Sequence, residues 1–74
     1  MSGKISIVIE KDEHGCYAYC PELPGCQTQA PNVEVAIERI REAIDLYLET
    51  LTAEERHTYL SKEIFTTTIE VRVA

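Results

Sequence analysis

Apolar and polar residues alternate along the first part of the chain, over residues 4–11. One face of this run holds three isoleucines and the other is mixed: Ile5, Ile7 and Ile9 against Ser6, Val8 and Glu10. A period of two indicates a half-buried β-strand. Gly15 closes the polar turn that follows, and residues 16–20 then place two tyrosines on one face and small side chains on the other. The pattern predicts a β-hairpin.

Two prolines and a glycine interrupt the pattern directly after the second predicted strand. Pro21 and Pro24 hold φ near about −65° and have no backbone N–H, so a central ladder cannot continue through them. Gly25 can adopt the positive φ that a type II turn requires. The sequence therefore predicts a corner, followed by a short polar strand over residues 25–29 that lies at a sheet edge or has one solvated face.

The middle of the chain changes to helical periodicity. Asn32 is suited to the N-cap position, where its side chain accepts a backbone hydrogen bond. The apolar residues that follow recur at steps of three and four and form one stripe: Val33, Ala36, Ile37, Ile40, Ala43, Ile44, Tyr47, Leu48 and Leu51. Such a stripe predicts a helix packed on the sheet. Thr52 and Glu55 have the spacing of a capping box, which predicts a second, short helical segment through about Leu60.

The last run, residues 63–74, alternates again and is rich in threonine and β-branched residues, which favour an extended chain. It predicts a final strand. At about 3.3 Å per residue this strand would be long for so small a sheet, so we expect part of it to pair with another copy of the chain. The expected fold is α+β in the order β-β-β-α-β, an antiparallel-rich sheet with one main helix packed on one face.

Length and charge restrict the classes of function. A chain of 74 residues is one small domain, residues 1–74, with a thin margin of stability, so we expect a homo-oligomer, a dimer or a tetramer. Thirteen acidic residues against seven lysines and arginines give a net charge of −6. This charge disfavours direct binding of nucleic acid and favours a basic protein partner. The alternative is that the charge only keeps a small protein in solution.

The lengths of the apolar runs and the number of cysteines indicate the compartment of the protein. No apolar run is long enough for a membrane span or a signal peptide. Three cysteines, an odd number, suit a reducing compartment, so we expect a cytoplasmic protein.

Cys16, Cys20 and Cys26 lack the spacing of a zinc site and are interpreted as small buried residues. A nuclease would need clustered acids to hold metal ions. The spacing of the candidate acids along the chain does not bring them together: Glu10, Asp12, Glu38 and Asp45. We expect no catalytic, metal or cofactor site.

The segments described above occur in an order that resembles a known family. A strand ending in Ile9-Glu10-Lys11-Asp12, a hairpin, the corner Pro21-Glu22-Leu23-Pro24-Gly25-Cys26 and the helical run 42–48 together resemble the N-terminal domain of HicB antitoxins. The resemblance covers about residues 4–51. It implies a degraded ribonuclease H-like fold that binds and silences a HicA-like toxin, a small basic mRNA interferase. Many family members also carry a C-terminal DNA-binding domain, and because this chain ends at Ala74 we do not expect it to bind an operator.

The resemblance leads to three hypotheses. In the first, the chain neutralises a HicA-like toxin by covering its RNA-binding and catalytic surface. The candidate contacts are acids chosen for charge and expected exposure: Glu10, Asp12, Glu13, Glu34, Glu38 and Glu42. In the second, the chain is a solitary homo-oligomeric module with a structural or small-ligand role and no toxin. The third, a residual metal-dependent nuclease, requires Glu10 or Asp12 as a metal ligand and is ranked last.

Overall fold

The structure is a computed structural model that describes residues 3–74. It is an α+β fold with a three-stranded antiparallel sheet and two helices. The elements in chain order are β1 (Val8–Asp12), β2 (Gly15–Tyr19), β3 (Gln27–Ala30), α1 (Val33–Glu49) and α2 (Ala53–Leu60). The strand order is β1-β2-β3, so β2 is central and both other strands are edges.

The predicted hairpin is confirmed. Asp12 pairs with Gly15 across a tight turn, and the Asp12 carboxylate accepts the His14 backbone N–H at 2.8 Å. Gly15 has a φ of 135°, and a Cβ at this position would come within 3.0 Å of the Ala30 carbonyl oxygen. Both the backbone conformation and the approach of β3 therefore require glycine here.

The first strand is shorter than the predicted run over residues 4–11. Its first ladder residue is Val8, which pairs with Tyr19, the last residue of β2. Beyond Tyr19 the chain turns into the proline corner, so no strand in the described part of the chain lies beside residues 5–7 to extend the ladder. The other two strands lie where the pattern predicts them, with bounds that differ by one or two residues.

The corner after β2 is irregular but closed by its own hydrogen bonds. The Leu23 N–H donates to the Cys20 carbonyl at 3.2 Å, the Cys26 N–H donates to the Leu23 carbonyl at 3.1 Å, and the Cys20 N–H donates to the Cys26 carbonyl at 3.0 Å. Gly25 has the positive φ that the sequence predicts, 79°. The Leu23 side chain is 1% exposed, so the corner contributes a large side chain to the core.

Helix α1 covers one face of the sheet, as predicted. The Asn32 side chain accepts the Val35 N–H at 2.9 Å, which confirms the N-cap. Ala36, Ile40 and Ile44 are the buried residues of this helix. They form one core with small side chains of the sheet and the corner, among them Cys16, Ala18, Cys20, Cys26 and Ala30. Small residues on the sheet let the helix approach closely.

Helix α2 begins at the predicted capping box, in which the Thr52 and Glu55 side chains accept each other's backbone N–H groups. It has no buried residue of its own. Its contact with α1 is an edge-to-face pair of Tyr59 and Tyr47, with ring centroids 6.4 Å apart. The Lys62 ammonium lies 5.5 Å from the Tyr59 ring centroid and adds a cation–π contact.

The predicted final strand is wrong for the single chain. Residues 63–74, which we call the C-terminal segment, contain no strand, so the element order is β-β-β-α-α rather than β-β-β-α-β. Every residue of this segment is exposed except the half-buried Ile64. A strand exists only through hydrogen bonds to a neighbour. Within residues 3–74, no other part of the chain supplies one to this segment.

Candidate partner-binding surfaces

Helix α1 covers one face of the sheet, and no element of residues 3–74 covers the other face. Register and alternation assign seven side chains to this second face, which we call the open face: Val8, Glu10, Asp12, Tyr17, Tyr19, Gln27 and Gln29. Cys16 and Ala18, which alternate with the tyrosines, point to α1 and are buried. The open face is therefore a mixture of aromatic, acidic and amide groups on a rigid sheet.

Two tyrosines occupy the centre of the open face. The Tyr17 and Tyr19 ring centroids are 5.7 Å apart with an interplanar angle of 35°, and both residues are half-buried. The Tyr17 hydroxyl donates to the Gln27 side-chain oxygen at 2.6 Å. Large side chains held in place in this way lose little entropy when a partner covers them, which suits them to an interface.

Three of the predicted contact acids lie at the hairpin end of the open face. Glu10 is directly opposite Tyr17 in the ladder, and Asp12 caps the turn. Glu13 is at the turn itself, where its carboxylate lies 3.4 Å from the exposed His14 ring. Glu10 and Asp12 share a shallow depression with Tyr17 and with the Arg39 side chain.

The other three predicted acids lie on a different side of the molecule. Glu34, Glu38 and Glu42 follow each other at steps of four on α1, and all are exposed. The helical period places this row away from the buried stripe of α1, and hence away from the sheet. The structure therefore divides the six predicted contacts into two separate acidic surfaces instead of one.

The acids considered for a nuclease site are separated in the same way. Glu10 and Asp12 are on the open face, whereas Glu38 and Asp45 are exposed on α1. Within residues 3–74, no three histidine, cysteine or acidic side chains form a group that could hold a metal ion.

All three cysteines are buried free thiols, which confirms their interpretation as core residues. Cys26 is 5% exposed, and Cys20 is 3% exposed. Burial raises the pKa of both thiols above its usual value. They remain protonated at neutral pH, which is unfavourable for a nucleophile or a metal ligand.

One functional group of the corner was not predicted from the sequence. Glu22 is 5% exposed, and its carboxylate accepts the Ser6 N–H at 2.9 Å and the Cys20 thiol at 3.7 Å. It thereby ties the residues before β1 to the corner. A charged residue between two prolines suggests a solvated turn, so only its place inside the motif Pro21-Glu22-Leu23-Pro24 could have drawn attention to it.

No helix in the described part of the chain has the length and apolar character needed to cross a membrane.

Comparisons with known proteins give the family. The family described as "HicB_like antitoxin of bacterial toxin-antitoxin system" matches residues 5–71. A UPF0150 protein of Archaeoglobus fulgidus is 57% identical over 47 residues, covering 62% of this chain and 68% of that protein. A UPF0150 protein of Helicobacter pylori is 49% identical over 59 residues, covering 80% of this chain and 81% of that protein. No solved structure matches. The chain belongs to the HicB-like antitoxin family.

Proposed function

We propose that this chain is an antitoxin that binds a small basic HicA-like mRNA interferase and blocks it by covering its RNA-binding and catalytic surface. Membership of the HicB-like antitoxin family supports a toxin partner. We choose the open face as the binding surface because a tyrosine pair lies there beside the acidic end of the hairpin. The antitoxin needs no chemistry of its own in this proposal.

Charge is the first part of the recognition. A toxin that cleaves RNA must attract phosphates, so the surface to be covered is basic. Glu10, Asp12 and Glu13 present carboxylates where RNA would present phosphates. The net charge of −6 steers the approach of a basic partner and disfavours acidic ones.

The tyrosines are the second part. Charges at the rim of an interface act mainly on the association rate, whereas large side chains covered at its centre slow dissociation. Tyr17 and Tyr19 lie at the centre of the open face and the acids at its end. We propose that the two rings anchor the complex and that the hairpin acids orient it.

The acidic row on α1 has a different role in this proposal. Glu34, Glu38 and Glu42 face away from the open face, so a small partner that covers the sheet does not contact them. They add to the attraction at long range only. The ribonuclease H-like origin of the fold that the resemblance implies remains part of the proposal.

A matched pair of charge reversals tests the surface. The chain is mixed with the product of the adjacent gene, and binding and toxin activity on RNA are measured. Glu10→Lys with Glu13→Lys should weaken the complex about tenfold or more, which corresponds to about 1.4 kcal/mol. Glu38→Lys with Glu42→Lys changes the net charge equally and should weaken binding far less. Equal effects of the two pairs would reject the open face as the contact.

The second candidate is a solitary homo-oligomeric module without a toxin. The observation in its favour is the exposed apolar C-terminal segment, which a role in assembly would explain. Genomic context separates the two candidates, because the antitoxin requires a small basic open reading frame beside its gene. If the adjacent product neither forms a complex nor is inhibited, the solitary module becomes the better proposal.

A further inference from the structure

Two of the three buried thiols lie opposite each other at the base of the corner. Cys20 follows the last residue of β2, and Cys26 precedes the first residue of β3. The last pair of the ladder is Tyr19 with Gln27, so one further step in the same register brings Cys20 opposite Cys26. The backbone agrees with this step, since the Cys20 N–H donates to the Cys26 carbonyl at 3.0 Å.

The backbone spacing of this pair suits a disulfide. Opposite residues that are hydrogen-bonded in an antiparallel pair have Cα atoms about 5.5 Å apart. A disulfide needs Cα atoms about 4.4–6.8 Å apart. The two sides of the corner therefore need not move toward each other for the two sulfur atoms to be joined.

Both side chains also point into the same space. Cys20 and Cys26 are buried in the one core that lies between the sheet and α1. Burial is the largest cause that raises the pKa of the Cys20 thiol, and the nearby Cys26 thiol adds to the rise. The two thiols are thus neighbours in side-chain position as well as in register.

Cys16 cannot take part in a bond of this kind. Its partner in the ladder is Ala30, which has no thiol. Cys20 is four residues further along the same extended chain, and at about 3.3 Å per residue the two Cα atoms are about 13 Å apart, too far for a disulfide. Cys26 is no nearer, because it lies opposite Cys20. Cys16 is therefore a matched control: it is a buried thiol on the same sheet face without a thiol opposite it.

We propose that Cys20 and Cys26 are a site of oxidation, at which hydrogen peroxide converts the two thiols into a disulfide that closes the corner covalently. In the first step one thiol is oxidised to a sulfenic acid, and the peroxide is reduced with release of one water molecule. In the second step the sulfur of the other thiol displaces the sulfenic hydroxyl group. This hydroxyl leaves with the proton of the second thiol as another water molecule, so one peroxide accepts two electrons.

Cys20 is the better placed of the two thiols to react first. Its S–H donates to the Glu22 carboxylate at 3.7 Å, which is an acceptor for the proton that must leave the sulfur. Burial raises the pKa of both thiols, so little thiolate is present at neutral pH. We therefore expect slow oxidation that proceeds when the corner opens locally.

The bond would turn residues 20–26 into a covalent ring. Leu23 in this ring fills part of the core, and the bond would keep the ends of β2 and β3 together even when the hydrogen bonds of the corner break. A crosslink that restricts the unfolded chain stabilises the folded one. The oxidised chain should therefore unfold at higher urea concentration than the reduced chain. This inference does not depend on the proposed toxin.

Thiol counting on the full chain tests the proposal. The folded chain is treated with hydrogen peroxide, and its free thiols are then counted in denaturant. The wild-type chain should lose two of its three thiols and, relative to the same sample reduced with dithiothreitol, the mass of two hydrogen atoms. Cys16→Ala should lose the same two thiols and show the same rise in urea midpoint. Cys20→Ala and Cys26→Ala should form no disulfide within the chain.

Three results would overturn the proposal. One is a wild-type chain that keeps all three thiols or loses them in a way that dithiothreitol does not reverse. The second is a disulfide that joins two copies, and the third is a disulfide that Cys16→Ala prevents. Circular dichroism shows whether each variant stays folded. If Cys20→Ala or Cys26→Ala unfolds, the comparison of the wild-type chain with Cys16→Ala still decides the outcome.

Discussion

Two regions of the molecule contain no β-strand: the corner between β2 and β3, and the C-terminal segment. They differ in their hydrogen bonds and in their burial. The corner has no regular pattern, but three backbone hydrogen bonds close it, and the Tyr47 hydroxyl donates to its Pro24 carbonyl at 2.8 Å. The C-terminal segment has the alternation of a strand, but within residues 3–74 it makes no such backbone hydrogen bonds. An irregular segment can therefore be held firmly by its own hydrogen bonds, whereas alternation of residues does not make a strand unless another strand lies beside it.

The largest expected effect comes from the most buried side chain of the corner. Leu23→Ala should lower the free energy of unfolding by about 2–5 kcal/mol, because it leaves a cavity in a core with few large side chains. Urea denaturation followed by circular dichroism measures this change.

Val73→Ala in the C-terminal segment is the control for Leu23→Ala. It should change the free energy of unfolding by less than about 0.5 kcal/mol, since Val73 is exposed to solvent. If the two alanine substitutions lower the free energy of unfolding equally, the contrast between the two regions is wrong.

A smaller effect is expected from the buried carboxylate of the corner. Glu22→Ala leaves the Ser6 N–H without its acceptor and should lower the free energy of unfolding by about 1–3 kcal/mol. Amide exchange at Ser6 should become faster, because the residues before β1 lose their tie to the corner. Glu22→Gln retains an acceptor oxygen and should protect Ser6 better than alanine does. Unchanged exchange in the alanine variant would mean that this tie does not hold the residues before β1.

The same contrast explains what the sequence could and could not predict. Strand faces, the Asn32 cap and the capping box follow from local chemistry, and all of them are confirmed. The extent of β1 and the formation of a last strand depend on whether another strand lies beside them, which the alternation of residues does not reveal. The family is also confirmed. The oligomer and its toxin remain predictions.

The candidate site shows the same limit at the level of side chains. Each acid could be assigned to a face of its own element. Only the packing of α1 on the sheet face that carries Cys16 and Ala18 shows that Glu10 and Glu38 lie on different sides of the molecule. Glu22 was missed because the group that its side chain binds, the Ser6 N–H, lies sixteen residues away in the chain. Contacts of this kind need the assembled fold, which periodicity alone does not give.

The smallest expected effect is a loss of stability at alkaline pH that comes from the corner and its helix contact. Burial raises the pKa of the Cys20 and Cys26 thiols and of the Tyr47 hydroxyl, so each group ionises at lower pH in the unfolded chain than in the folded one. Stability from the thiols is fully present below their usual pKa of about 8.5 and decreases as pH rises above it.

Urea midpoints should therefore fall with rising pH, and Cys26→Ala should make this fall less steep. A Thr68→Ala variant in the C-terminal segment should keep the wild-type slope, because no thiol or phenol is altered. A flat wild-type profile would show that the corner opens enough to hydrate its thiols, and the corner would then resemble the C-terminal segment more closely than its hydrogen bonds indicate.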